Sequence, residues 1–166
     1  MEGPADIDIR CSVIAFRDDS VLLVHRLRGG ADDWVLPGGT PLPGESMASC
    51  ARREALEETG LPVDPRRIAF VLEALGPHES RRLVDLVFLA ALLARTEPMP
   101  QEEDLEASFI PLGILPELTI RPPLAGYLHG LYARGMARTA PYLGNMWRPR
   151  AGNGTGPLPG KAASTA

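Results

Sequence analysis

Lysine is almost missing from this chain. Of its 17 basic residues only Lys161 is not arginine, a bias that, beside abundant Ala, Gly and Pro, reads as a GC-rich genome rather than a function. Cysteine is scarce too. Cys11 and Cys50 are too few for a disulfide-built scaffold. They read as reduced, buried thiols of a cytoplasmic protein, with a single disulfide as the alternative. No apolar run approaches the roughly 20 residues that a spanning helix needs. The opening MEGPADIDIR has neither the basic region nor the apolar core of a secretory signal. There is no long basic run and the net charge is −4, which argues against general nucleic-acid binding or attachment to anionic membranes. No internal repeat is visible.

What remains is an ordinary globular composition, 45% hydrophobic and 23% charged over 166 residues, which suits one domain. Residues 9–16 and 21–26 read as strands joined by the polar turn Arg17-Asp18-Asp19-Ser20. A short strand at 34–36 ends at Pro37. Residues 62–67 read as a connection, 68–75 and 82–93 as a second hairpin around Gly76-Pro77, and 96–106 as a loop. A short strand at 109–112, a brief helix at 114–118 and a last helix from Pro123 to about Met136 follow. Leu124, Tyr127, Leu128, Leu131 and Tyr132 recur at helical spacing and read as its packed face, with His129 outside it. Residues 138–150 are too apolar for a free tail and are expected to dock on the domain or on a second copy of it, a homodimer. Residues 151–166, rich in Gly, Pro, Ser, Thr and Ala, are expected to be a flexible tail. This order of elements is an α/β arrangement with a mixed sheet.

The chemistry concentrates in residues 38–61, GGTPLPGESMASCARREALEETGL. A glycine- and proline-punctuated loop leads into a helix with Ser46 as N-cap, Gly60 as its left-handed stop and Pro62 beyond. Glu54, Glu57 and Glu58 stand at i,i+3 and i,i+4 spacing, so three like charges share one face near the helix end that disfavours them. Ala48, Ala51 and Ala55 form a neighbouring stripe suited to close packing on a sheet. Arg53 offsets part of the repulsion, and a bound cation would offset more. An all-oxygen cluster selects a hard ion, Mg²⁺ or Mn²⁺, which is commonly shared with substrate phosphates. Three glutamates alone would read as an acidic solvent face.

The wider spacing changes that balance. Gly39, Glu45, Arg53-Glu54, Ala55, Leu56, Glu57-Glu58, Thr59, Gly60 and Leu61 fill every specified position of a pattern that resembles the Nudix hydrolase box. Trp34-Val35-Leu36-Pro37-Gly38 resembles the approach to it. The resemblance covers 23 residues, with Ala55 smaller than the commoner branched aliphatic. It implies an α/β/α sandwich with a mixed β-sheet, and hydrolysis of compounds in which a nucleoside diphosphate is linked to another moiety. It also implies Glu54, Glu57 and Glu58 as metal ligands, with the Gly39 carbonyl as a further one. Arg53 and Glu45 become partners that tie loop to helix.

The general base is expected from Glu54 or Glu58, or from the acids Glu102, Glu103 and Asp104. Glu103, six residues before Phe109, is the choice. Arg26 and Arg81 are candidate substrate contacts, with Arg82 beside the latter, and His25 reads as an exposed strand end. Pro77 stands sixteen residues after Leu61, one out of register with a proline of ADP-ribose pyrophosphatase-like members. ADP-ribose or a nucleotide sugar therefore leads over nucleoside triphosphates, although the long N-terminal dimerisation segment of many ADP-ribose enzymes is absent. A non-catalytic nucleotide sensor of the same fold is one rival class, but it would be expected to have lost signature glutamates; a structural metal-binding domain is the other, and it would not need the Gly38-Gly39 loop or the full spacing.

Overall fold

A computed structural model describes residues 6–27, 32–77, 81–137 and 142–149. The expected flexible tail at 151–166 lies outside the described residues. The elements run β1 (Asp6–Ile14), β2 (Phe16–Arg17), β3 (Ser20–Arg26), β4 (Asp33–Val35), β5 (Gly38–Gly39), α1 (Met47–Thr59), β6 (Val63–Ala74), β7 (Arg81–Leu92), β8 (Leu105–Pro111), a 3-10 segment (Leu112–Glu117), α2 (Ala125–Ala133) and β9 (Tyr142–Asn145).

Two sheets form. In the five-stranded one, ordered β5-β1-β7-β6-β9, β1 runs parallel to β7 and antiparallel to β5, while β6 is antiparallel to β7 and parallel to β9. The other is built on β3, with β8 along one edge and β2 and β4 sharing the other. The first expected strand is thus broken at Ala15, where the chain leaves one sheet for the other. Only Phe16–Arg17 makes the hairpin with β3, through a turn in which Asp18 takes φ +52°.

Strand alternation assigns the two faces. Cys11, Val13 and Ala15 point to α1 and pack with Cys50, Ala51, Ala55, Leu61 and Val63. Ile14 points the other way, joining Phe70, Leu72 and Val87 against Leu115, Leu124, Leu128 and Leu131. A helix on each face of mixed strands is the expected α/β/α sandwich. The alanine stripe of α1 lies on the sheet, since Ala51 and Ala55 are fully buried and Ala48 packs against them.

Several expectations need correction. Residues 62–67 are no connection: β6 begins at Val63, and register shifts between Pro65 and Arg67 and between Ile68 and Phe70 absorb the proline in the ladder. Residues 38–39 are a two-residue strand on β1 rather than open loop. Strand β8 begins at Leu105, shortening the 96–106 loop, and α2 is shorter at both ends than expected. Tyr127, on the expected packed face of α2, is 41% exposed although its ring edge meets Phe70. His25 is not a free strand end. It stacks on Trp34, with ring centroids 4.5 Å apart, and its Nε2 lies 2.6 Å from Asp32. Of the 138–150 region, the described residues 142–149 dock on the domain itself, with β9 on the β6 edge and Met146 buried in the core.

Candidate active site

Helix α1 is bounded as its sequence requires. Ser46 Oγ accepts from Ser49 N–H at 3.1 Å, and Gly60 adopts φ +70° while its N–H donates to Leu56. Those stops set which residues fall in the last two turns, and hence where the glutamates project.

Each glutamate is held differently. Glu58 turns inward, and its Oε2 accepts from Gly38 N–H at 2.8 Å. Burial raises its pKa from 4.5 to about 7; the Gly38 hydrogen bond and the charge of Arg10 pull it down, while Glu54 and Glu102 push it up. The Glu54 carboxylate lies so close over Gly39 that a Cβ there would overlap it. Glu57 is bound by Arg53 Nη1 at 3.1 Å, and the same nitrogen donates to Glu54 Oε1 at 2.7 Å.

Arg53 is the hub of this surface. Its Nε and Nη2 bind the two oxygens of Glu45 at 2.9 and 3.0 Å, a bidentate fork, and Nη2 also donates to Thr40 O. Glu45 Oε2 accepts from Leu42 N–H as well, so the 40–45 turn is tied to the helix. The Arg53 hydrogen bonds, with that of Leu42, lower the Glu45 pKa to about 2, and Glu45 in turn raises that of Arg53. Glu45, Arg53, Glu54, Glu57, Glu58, Gly38 and Gly39 therefore form one connected patch. Cys50 Sγ lies 3.5 Å from Gly39 O, and burial pushes the Cys11 thiol up to about 12, so both thiols are free and protonated.

The loop after β7 is pinned to the same helix end: Met99 N–H donates to Thr59 O (2.8 Å) and Gln101 N–H to Glu57 O (3.0 Å). Its next residue, Glu102, is the loop acid whose charge bears on Glu58. Glu103 instead lines a cavity of about 330 Å³ with Leu27, Asp104, Leu105 and Glu106. The expected substrate arginines have protein partners. Arg81 is paired with Asp8 at the start of β1 and Arg82 with Glu73. Arg26 lies 3.8 Å from buried Asp33, which Arg121 approaches from the other side.

Sequence reasoning passed over Arg10, Ser12 and Asp85, which lie behind Gly38. The available signal was Asp85, an acid inside the apolar run of β7, where buried charges are rare without a purpose.

Among the described residues, no three acidic, His or Cys side chains converge into a preformed cation cage. Arg53 and the Gly38 N–H hold the carboxylates instead. The oxygen-only donor set, with Glu54 resting against Gly39, nevertheless fits Mg²⁺ or Mn²⁺. Such ions take one or two carboxylates and complete their shell with water and phosphate.

Comparison with known proteins agrees with this geometry. The chain is 32% identical over 133 residues to an NAD-capped RNA hydrolase NudC of Stutzerimonas stutzeri, covering 79% of this chain and 46% of the relative. It is 30% identical over 126 residues to the human 8-oxo-dGDP phosphatase NUDT18, covering 69% and 38%. The chain thus spans less than half the length of these curated relatives. A crystal structure of an ADP-ribose pyrophosphatase from Streptococcus suis superposes with a TM-score of 0.63 at 22% identity, covering 81% of this chain and 98% of that one, a likeness of fold. The NUDIX domain profile matches residues 8–130, from the first strand through both sheets and into the last helix, and on that match the chain belongs to the NUDIX domain family.

Proposed function

We propose that this chain is a divalent-metal-dependent pyrophosphohydrolase. Its substrate is a nucleoside diphosphate linked to another moiety, with ADP-ribose or a nucleotide sugar favoured over nucleoside triphosphates. The observation that carries the reading is the shared anchoring of the three glutamates. Glu58 is drawn onto Gly38 and Glu54 lies over Gly39, while Arg53 joins Glu54 and Glu57 to Glu45. A solvated acidic face would have no reason to be tied to a glycine strand. The names of the related proteins point the same way, since NAD-capped RNA, 8-oxo-dGDP and ADP-ribose each contain a diphosphate.

Glu54, Glu57 and Glu58, with the Gly39 carbonyl, would hold Mg²⁺ or Mn²⁺. When bound, the ion neutralises diphosphate charge and acidifies a water molecule. Arg53 and Glu45 orient the carboxylates and keep the 40–45 turn against α1. A proton acceptor is needed for the attacking water. Glu103 is the choice made from sequence, and it lines the cavity beside Leu27. Glu102 is favoured by its influence on Glu58 and by the hydrogen bond that fixes the preceding residue to Glu57. Two free, protonated thiols suit a reducing compartment, the cytoplasm.

Hydrolysis of a panel of ADP-ribose, nucleotide sugars, NAD and nucleoside triphosphates with Mg²⁺ or Mn²⁺ tests the reading. Wild type is expected to release nucleoside monophosphate from a diphosphate-linked substrate. Glu57→Gln and Glu58→Gln are each expected to lower kcat by at least ~100-fold, the scale of lost charge stabilisation at a reacting centre. Unchanged turnover in both variants, or no hydrolysis of any substrate by wild type, would sink it. Glu102→Gln and Glu103→Gln, assayed side by side, separate the two candidate bases.

A further inference from the structure

A buried polar network stands directly behind the glycine strand and outside the Nudix box. Asp85, only 3% exposed, accepts from Ser12 Oγ at 2.8 Å. Ser12 Oγ in turn accepts from Arg10 Nε at 3.1 Å, and Arg10 Nε lies 3.7 Å from Asp85 Oδ2. Arg10 Nη2 donates to Leu36 O at 3.1 Å. The second oxygen of Asp85 has no hydrogen-bond partner among the described residues. A hydroxyl can donate once and still accept, so Ser12 relays between the two charges without leaving either hydrogen-bond role unmet.

A buried carboxylate with one oxygen unpaired is poor material for stability, because an apolar residue of similar size would serve the core better. Its register explains it: Asp85 is the partner of Arg10 across the β1–β7 ladder, and Ser12 is the partner of Gly38 across β1–β5. Gly38 lies so close to Ser12 that a Cβ would collide with its backbone. Val13 N–H further holds Pro37 O at 2.9 Å. Residues 36, 37 and 38 are therefore all fastened to β1, and Gly38 N–H is the group that grips Glu58.

We infer that Arg10, held by Ser12 and Asp85, is a positioning residue. It fixes the Leu36–Gly38 turn so that Gly38 presents its N–H to Glu58. The inference rests on the metal-site reading above. Arg10 acts through Gly38 and Glu58, and the network has no part in the bond-breaking step.

The test is Mn²⁺ binding, read from the loss of the free-ion electron paramagnetic resonance signal, together with kcat, KM and Tm. Arg10→Gln/Asp85→Asn removes the half-buried guanidinium and the buried carboxylate together, so neither is stranded. It is expected to weaken Mn²⁺ binding and lower kcat by ~10–100-fold, the usual cost of losing a partner behind metal ligands, with KM within about threefold. Arg10→Lys keeps a charge but cannot reach Leu36 O and Ser12 in the same fork. It is expected to keep wild-type Tm without wild-type kcat, and a wild-type kcat with lysine would overturn the positioning role. Wild-type Mn²⁺ affinity in both variants, while Glu57→Gln loses it, would refute the inference and leave the metal site standing. Wild-type affinity in Glu57→Gln as well would remove the metal site and the inference with it.

Discussion

Glu58 shows how the fold sets the charge of one side chain. Its carboxyl is pushed from 4.5 to about 7, chiefly by burial, so between those values the folded chain keeps a proton that the unfolded chain has lost. The unfolded state then binds fewer protons, and stability falls as pH rises through that window. The contribution is on the order of 3 kcal/mol, present below about pH 4.5 and lost above about pH 7. Urea unfolding of the metal-free protein across pH 4.5–7.5 should show this downward slope, and Glu58→Gln should flatten it. Mg²⁺ should offset the loss at the upper end, because cation binding favours the ionised form. Equal slopes in wild type and Glu58→Gln would count against the burial argument. Gly39, Glu45 and Arg53 were all visible as candidate site residues in the linear spacing, and Gly38 only as part of the approach to it. Arg10, Ser12 and Asp85 were not: only Asp85 stands out among its own neighbours, and the three meet only across the β1–β7 and β1–β5 ladders.

Helix α1 was the most legible element, since its N-cap, its stop and its small-residue stripe are local features that a helix of 3.6 residues per turn turns directly into geometry. The stop does more than end the helix. Gly60 sits at φ +70°, and a Cβ there would collide with the backbone carbonyl of Met99, the residue that ties the 93–104 loop to Thr59. Gly60→Ala should cost at least about 1–2 kcal/mol for the left-handed backbone alone. It should also lower kcat, by shifting the loop that carries Glu102 and Glu103. Ser46→Ala is the control at the other end. Losing the N-cap should cost about 1 kcal/mol with kcat nearly unchanged, because Ser46 touches only the first turn. Thermal melts and turnover of the two variants, measured together, check the claim; a kcat for Gly60→Ala equal to that of Ser46→Ala would refute it. Strand β6 was half hidden: the Val-Asp-Pro-Arg-Arg run has loop composition, and only pairing with β7, bulged around Pro65, makes it strand.

Across the assembled fold, the C-terminal segment decides how the larger sheet ends. Strand β9 pairs with β6, and the Asn145 side chain both accepts from Leu75 N–H and donates to Leu75 O, extending the ladder. Met146 enters the core, and Arg121 holds the carbonyls of Arg148 and Pro149. Met146→Ala should cost roughly 2–5 kcal/mol as a large-to-small core change. Removing residues 138–166 should lower Tm further and promote concentration-dependent association through the bared β6 edge. Removing only 151–166, which leaves β9 in place, should do neither. Differential scanning calorimetry and light scattering on the three proteins give the comparison, and a 138–166 deletion that keeps the wild-type association state and Tm would show that β9 is dispensable.

The division between the two sources of information follows from range. Capping, periodicity and the spacing of glycine, arginine and glutamate over 38–61 act within a few turns, so the linear chain already specified the helix, its acidic face and the family. Contacts between residues far apart had to wait for the folded chain. Arg10 meets Asp85, Glu73 meets Met146, and Gly60 meets Met99 only once strands have paired and loops have closed. No local propensity encodes such partners, because strand pairing is chosen by burial over the whole sheet. The chain thus announced its acidic helix and its family, and tertiary packing settled what holds those side chains in place.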